Sequence, residues 1–214
     1  RQMEWDSPWG RGFPGWHIEC SAMSLHYLGD GERSRTIDIH TGGVDHIPIH
    51  HTNEIAQSEA ATGKPFVKYW FHNEFLLVEG QKMSKSLHNI FNTHDVLKRG
   101  FNPLSLRYLF LTSHYRTQMN FTWEALASAK EALNNLYNEI RDWEKPKIGC
   151  AEFEEKFLAA VNDDLNMPQA LAVVWELVKC DCPTSAKAES LLKFDQVLGL
   201  DFAKYLGKKV TVPT

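Results

Sequence analysis

The stretch DIHTGGVDHIPIHHTNEIAQSEA, residues 38–60, decides the fold class. A β-like run over Thr36 to His40 passes through the glycine pair Gly42 and Gly43 and leads into a helical run over about residues 50 to 61. Open α/β sheets bind nucleotides where a strand ends, and glycines there let a ligand come close to the backbone. The same rhythm continues on both sides. Helical spacing covers about 17 to 28, and β-like runs cover Val67 to Phe71 and Phe75 to Val78. Glycines at 29, 31, 42, 43, 63 and 80 punctuate these segments. Residues 1–92 therefore read as an α/β sheet domain.

Beyond it the period changes. From about 94 to 145 the pattern is helical: Asn102-Pro103 opens a run with Leu104, Leu106, Leu109, Phe110 and Leu111. Thr122 is placed to cap a helix starting at Trp123, whose apolar stripe runs through Leu126, Ala129, Leu133, Leu136 and Ile140. The segment KPKIGC, 145–150, is a linker, and amphipathic helices follow from 152 to about 200. Asn166-Met167-Pro168 marks a helix start and Pro183-Thr184 a break. This gives three zones, 1–92, 93–146 and 147–214.

With 214 residues, 43% of them hydrophobic, the chain can bury the core of one large or two small domains. A net charge of −4 argues against a surface coated for nucleic acid, while leaving local basic patches open. No apolar run approaches the roughly 18 residues of a membrane span, and the N-terminal stretch lacks a signal core, so a cytoplasmic protein is expected. Cys20, Cys150, Cys180 and Cys182 are too sparse for a disulfide framework and suit free thiols or a metal ligand. The sequence opens without methionine in a Trp/Pro/Gly-rich loop and reads as a fragment.

Two constellations carry chemistry. In EGQKMSKSLHN, residues 79–89, the ammonium groups of Lys82 and Lys85 can neutralise a polyphosphate while Ser84 and Ser86 add hydrogen bonds. The residue types alone favour a solvated surface turn, since charge runs are usually just solvated; the full KMSKS string is much more specific. In HHTNE, His50 and Glu54 stand one helical turn apart, a spacing natural to zinc ligands, and Cys20 in GWHIECSAM offers a thiolate. A position early in a helix would lower that thiol's pKa. Taken singly, each of the three has an ordinary structural explanation. Asp45 can accept hydrogen bonds from ribose hydroxyls, and His40 can stand beside a nucleotide.

In order and spelling, GWHIECSAM, then DIHTGGVDHIPIHHTNEIAQSEA, then WFHNEFLLVEGQKMSKSLHN closely resemble the cysteinyl-tRNA synthetase family, and KMSKS matches the second signature of class I synthetases. FLAAVNDDLNMPQALAVVWELV resembles the start of that family's helical anticodon-binding domain. The resemblance implies an α/β fold: the second half of a Rossmann-like class I catalytic domain, then an α-helical bundle region. It implies activation of cysteine with magnesium-bound ATP and transfer to tRNA(Cys). It implies zinc in the amino-acid pocket, with Cys20, His50 and Glu54 as three of four ligands and Trp16 walling the pocket. Lys82, Lys85, Ser84 and Ser86, with His40, Gly42, Gly43 and Asp45, are implied as the ATP-binding residues, the two lysines being catalytic.

Thr41, Thr52 and His88 stand where the family pattern has glycine, glutamate and glycine. The family's first signature, a His-x-Gly-His-like motif, and the cysteine before it are absent, so the N-terminal half of the catalytic domain is expected as a partner. Two alternatives are a ligase joining cysteine to an amino sugar in mycothiol synthesis, which shares the zinc pocket, and a non-catalytic RNA-binding paralogue. A lysine loop close to KMSKS and helices suited to tRNA disfavour the first. The intact lysine pair and three metal-ligand types disfavour the second.

Overall fold

A computed structural model describes residues 3–28 and 36–209. The expected glycine breaks at 29 and 31 lie outside the described residues. The chain divides into two compact units, Arg1–Phe75 and Leu76–Thr214.

The first unit opens with a hairpin of β1 (Trp5–Ser7) and β2 (Gly10–Gly12), whose turn is held by Ser7 Oγ donating to the Gly10 carbonyl at 2.6 Å. Helix α1 (Trp16–Leu28) follows. Strand β3 (Ile37–Gly43) pairs in parallel with β4 (Val67–Asn73), in register from Ile37 opposite Val67 to Gly43 opposite Asn73. A parallel pair needs a long crossover. Here it is a 3₁₀ turn over Val44–His46, a π-helical turn over Ile47–His51 and helix α2 (Thr52–Thr62), which Gly63 ends in the left-handed conformation at φ 68°. Ile37, Phe66 and Val67 form a small apolar core, with Leu25 and Trp70 against it.

In the second unit β5 (Leu76–Val78) pairs antiparallel with β6 (Gln81–Lys82). Helices α3 (Thr93–Lys98) and α4 (Pro103–Leu111) come next. The expectation of an all-helical run from 94 to 145 fails at one point: Met119–Phe121 is a strand, β7, parallel to β5. Its register sets Phe121 opposite Val78, and both are buried, so a short segment gains a ladder and a core position that no local periodicity announces. Helix α5 (Trp123–Glu139) then buries the expected stripe of Leu126, Ala129, Leu133 and Leu136.

Helices α6 (Ala151–Asn162), α7 (Met167–Lys179) and α8 (Thr184–Leu198) complete a core shared with α4 and α5. Their starts follow the sequence signals. Asn92, Asn102, Thr122 and Asn166 each accept a backbone N–H at the helix start, and Pro103 and Pro168 sit where a missing donor costs nothing. In the α6–α7 turn Asp164 and Leu165 adopt φ of 50° and 55°. Arg116 Nε and Tyr115 Oη, each 2.6 Å from the Asp164 carboxylate, fix that turn. Among the described residues no helix is long and apolar enough to cross a membrane.

Candidate active site

The first unit places its polar groups in one cluster centred on Glu54. The π-helical turn immediately before α2 inserts an extra residue per turn, and such turns recur at functional sites. Its effect is to turn two consecutive histidines toward one carboxylate. His50 Nε2 lies 3.5 Å and His51 Nε2 3.8 Å from Glu54 Oε2. His40 Nε2, arriving from β3, lies 3.1 Å from the same oxygen. Thr52 donates Oγ1 to the Ile47 carbonyl at 2.6 Å and so steadies the end of the π-helical turn.

Glu54 has no exposed surface, and neither carboxylate oxygen has a hydrogen-bond partner among the described residues. The three imidazoles are close to it without hydrogen-bond geometry. An uncompensated carboxylate is expensive to bury. The donor atoms of Cys20, His50 and Glu54 all lie within 4.8 Å of one another, which meets the reach of a single ion with bonds of about 2.0–2.3 Å. Soft sulfur, imidazole and carboxylate together suit zinc chemistry. A second triad, His40, His51 and Glu54, converges equally closely and shares the same carboxylate.

Around the ligand candidates the histidines support one another. His17 Nδ1 is 3.0 Å from His50 Nδ1, the type of outer contact that fixes which ring nitrogen a ligating histidine presents. Trp16 stacks on the His50 ring, with centroids 3.5 Å apart and planes within 9°. His51 Nδ1 is 2.7 Å from His72 Nε2 on β4. Burial, followed by the neighbouring His40, His72, His46 and His50, lowers the His51 pKa to about 4. Burial lowers that of His50 as well, against the opposing pull of Glu54.

The Cys20 thiol departs from expectation. Its pKa is raised, first by burial and then by the charges of Glu54 and Glu19. Cys20 is the fifth residue of α1, beyond the turn where the helix dipole acts, so burial and then the local carboxylates decide. A cation bound beside it would reverse that balance.

Gly42 also has a packing role. A Cβ there would lie 2.5 Å from His51 Cε1 and 2.7 Å from His46 Nδ1, so the missing side chain makes room for the imidazoles. At Gly43 a Cβ would collide with the Asp45 carboxylate. Asp45 is exposed in the 3₁₀ turn, and His40 is half-buried.

In the second unit the lysine loop leaves β6 as a hydrogen-bonded turn. Asn89 accepts from Ser84 N at 2.8 Å and donates to the Lys82 carbonyl at 3.1 Å, while Ser84 and Ser86 hydroxyls lie 3.1 Å apart. Met83 anchors the loop beside an apolar cavity of about 210 Å³ lined by Val78, Phe91, Val96 and Phe121. Lys82 and Lys85 are exposed, and among the described residues neither has a carboxylate within ion-pair distance. His88 sits at φ 50°, the conformation a glycine adopts without strain.

The sequence reading missed His17, His46, His51 and His72. They are scattered over four elements, and the only local signal was the doubled histidine at 50–51.

Comparison with known proteins places the chain. The family model for the class I (C) tRNA synthetase catalytic domain matches residues 1–131, and that for the DALR domain matches 156–180. Cysteine–tRNA ligase 1 of Burkholderia lata is 49% identical over 214 residues, covering 100% of this chain and 44% of that protein. The cysteine–tRNA ligase of Treponema denticola is 45% identical, covering 92% of this chain and 45% of its own length. The chain thus spans less than half the length of these relatives. In fold it resembles the LeuRS of Agrobacterium radiobacter K84, solved as a ternary complex with tRNA and LeuAMS, with a TM-score of 0.64, 16% identity and coverage of 96% of this chain and 33% of that one. By its sequence, this chain belongs to the class I cysteinyl-tRNA synthetase family.

Proposed function

We propose that the chain forms part of a cysteine–tRNA ligase, supplying the thiol-selecting pocket and the phosphate-binding loop for making cysteinyl-adenylate and passing cysteine to tRNA(Cys). The observation that carries this reading is Glu54: a fully buried carboxylate without a hydrogen bond, with Cys20 and His50 donors within 4.8 Å. Zinc is the ion proposed for Cys20, His50 and Glu54. Bound there, it supplies a soft position that prefers thiolate to hydroxyl, where an apolar pocket separates such small differences by only about 1–3 kcal/mol.

The chain's own residues do the rest. Trp16 walls the pocket and holds the His50 ring by stacking, while His17 fixes its tautomer. Lys82 and Lys85, with the Ser84 and Ser86 hydroxyls, take the phosphates of magnesium-bound ATP as charge develops on them. His40, Gly42, Gly43 and Asp45 are proposed for the nucleoside. Residues 1–92 are assigned to the catalytic part, 93–146 to contact with the tRNA stem and 147–214 to the beginning of the anticodon-binding domain. Catalysis requires the remaining half of the catalytic domain, and the site of action is the cytoplasm.

The test is a chimera in which this chain replaces the matching stretch of the Burkholderia lata relative. Cysteine-dependent ATP–pyrophosphate exchange is expected, and Lys85→Ala should lower it on the order of a hundredfold with cysteine affinity nearly unchanged. A folded chimera without cysteine-dependent exchange overturns the reading.

A further inference from the structure

Outside this site the second unit carries a pair of thiols in an unusual setting. The sequence WELVKCDCPTS, 175–185, places Cys180 and Cys182 in the connector between α7 and α8. The connector has no freedom to spread. Helix α7 ends at Lys179, Pro183 blocks any continuation, and α8 begins at Thr184. Both flanking helices are fastened to the same core through buried Leu177, Val178 and Ala188.

Within that frame the chain bends so that Cys182 N–H donates to Cys180 Sγ at 3.4 Å. Both thiols are free and half-buried. One intervening residue keeps their Cα atoms near the range of about 4.4–6.8 Å that a disulfide tolerates, at the cost of ring strain.

We infer that Cys180 and Cys182 form a reversible intrachain disulfide when a low-molecular-weight disulfide such as glutathione disulfide is present, so that the α7–α8 connector is a redox-modifiable site. Cys182 makes the first attack, because Cys180 is packed against the core and Cys182 is not. The Cys182 thiol gives its proton to water, and its sulfur bonds to one sulfur of glutathione disulfide, releasing a glutathione thiolate. The Cys180 thiol then gives up its proton and attacks Cys182 Sγ in the mixed disulfide, breaking the bond to the second glutathione. The protein loses two electrons and two protons, and one glutathione disulfide becomes two glutathione thiols. Burial raises the Cys180 pKa, so this second step speeds up with rising pH. A strained bond of this type belongs to the labile, readily reduced class of disulfides and not to the structural one.

The experiment incubates residues 1–214 at a series of ratios of reduced to oxidised glutathione, quenches with acid, blocks free thiols with N-ethylmaleimide and maps the peptides by mass spectrometry. The peptide bearing Cys180 and Cys182 should lose two hydrogens, escape blocking at both positions together and recover fully with dithiothreitol. Cys182→Ser should abolish that species, and Cys180→Ser should leave a glutathione adduct on Cys182. The inference is overturned if both thiols stay blockable at ratios that oxidise an unstructured peptide of the same sequence. It is also overturned if Cys180 or Cys182 pairs with Cys20, with Cys150 or with a second chain.

Discussion

The two units of this chain are stabilised in opposite ways. In the second, apolar side chains from α4, α5, α6, α7 and α8 form one continuous core, and four of its helices begin on a side-chain cap. In the first, the buried apolar cluster is Ile37, Phe66 and Val67, and the interior around Glu54 is made of imidazoles and a carboxylate. Helix α2 has no side-chain cap, and the sheet pair of Ile39 and Tyr69 is exposed. A two-stranded sheet with so small a core is marginal by itself. The unit that holds the candidate metal ligands has a polar interior, and the unit beside it in sequence has a conventional core.

The comparison breaks most sharply in the core. Leu136, with no exposed surface, should cost about 2–5 kcal/mol when cut to alanine, and the loss should appear in urea unfolding followed by amide exchange in α5 and α7. Exchange in β3 and β4 should hardly change. Protection lost equally in both units would mean that they unfold as one, and the contrast would fall.

Acid should separate the units next. In chelator, His51 is neutral in the folded chain down to about pH 4, while in the unfolded chain it takes a proton near pH 6.5. The unfolded state therefore binds more protons across that window. The first unit loses stability from about pH 6.5 to 4, by up to about 3 kcal/mol. In the second unit the Arg116 and Tyr115 hydrogen bonds hold the Asp164 carboxyl down at about 2, so its contribution is present above the ordinary carboxylate pKa and is lost only as pH falls through that lower value. Two-dimensional NMR along a pH titration should show β3 and β4 signals leaving before those of α6 and α7; His51→Phe should narrow the gap.

The smallest effect concerns capping. Thr122→Ala removes the acceptor for Ala125 N, 3.0 Å away, and should cost about 1 kcal/mol in the second unit. Thr52→Ala at the start of α2 serves as the contrast: its hydroxyl bonds the π-helical turn and not a helix-start N–H, so the loss should appear as a shift of His50 and His51 resonances.

What the sequence disclosed follows from how local each signal is. Asn102-Pro103, Thr122 and Asn166 announced their helices because a cap and the donor it satisfies lie within three residues. The stripe from Leu126 to Leu136 did so because one helix face repeats regularly. The pairing of His50 with Glu54 was visible in the same way, at one-turn spacing. The π-helical turn at Ile47–His51 was not, since no residue type marks it, and without it His51 would be assigned to another face. Strand β7 exists only because β5, some forty residues earlier, offers it a partner. The role of Gly42 lay hidden for a related reason: the rings it accommodates belong to the crossover and not to the strand.

Helix α5 has a further consequence. The catalytic-domain match stops at residue 131, in the middle of a helix that runs unbroken from Trp123 to Glu139. The residues just past that point, Leu133, Leu136 and Tyr137, are among the most deeply buried of the second unit. A recombination event that copied only the matched portion would carry away half a helix and leave its apolar face without a lining. A workable crossover would fall in the Lys145–Cys150 connector, after the last turn that α5 anchors.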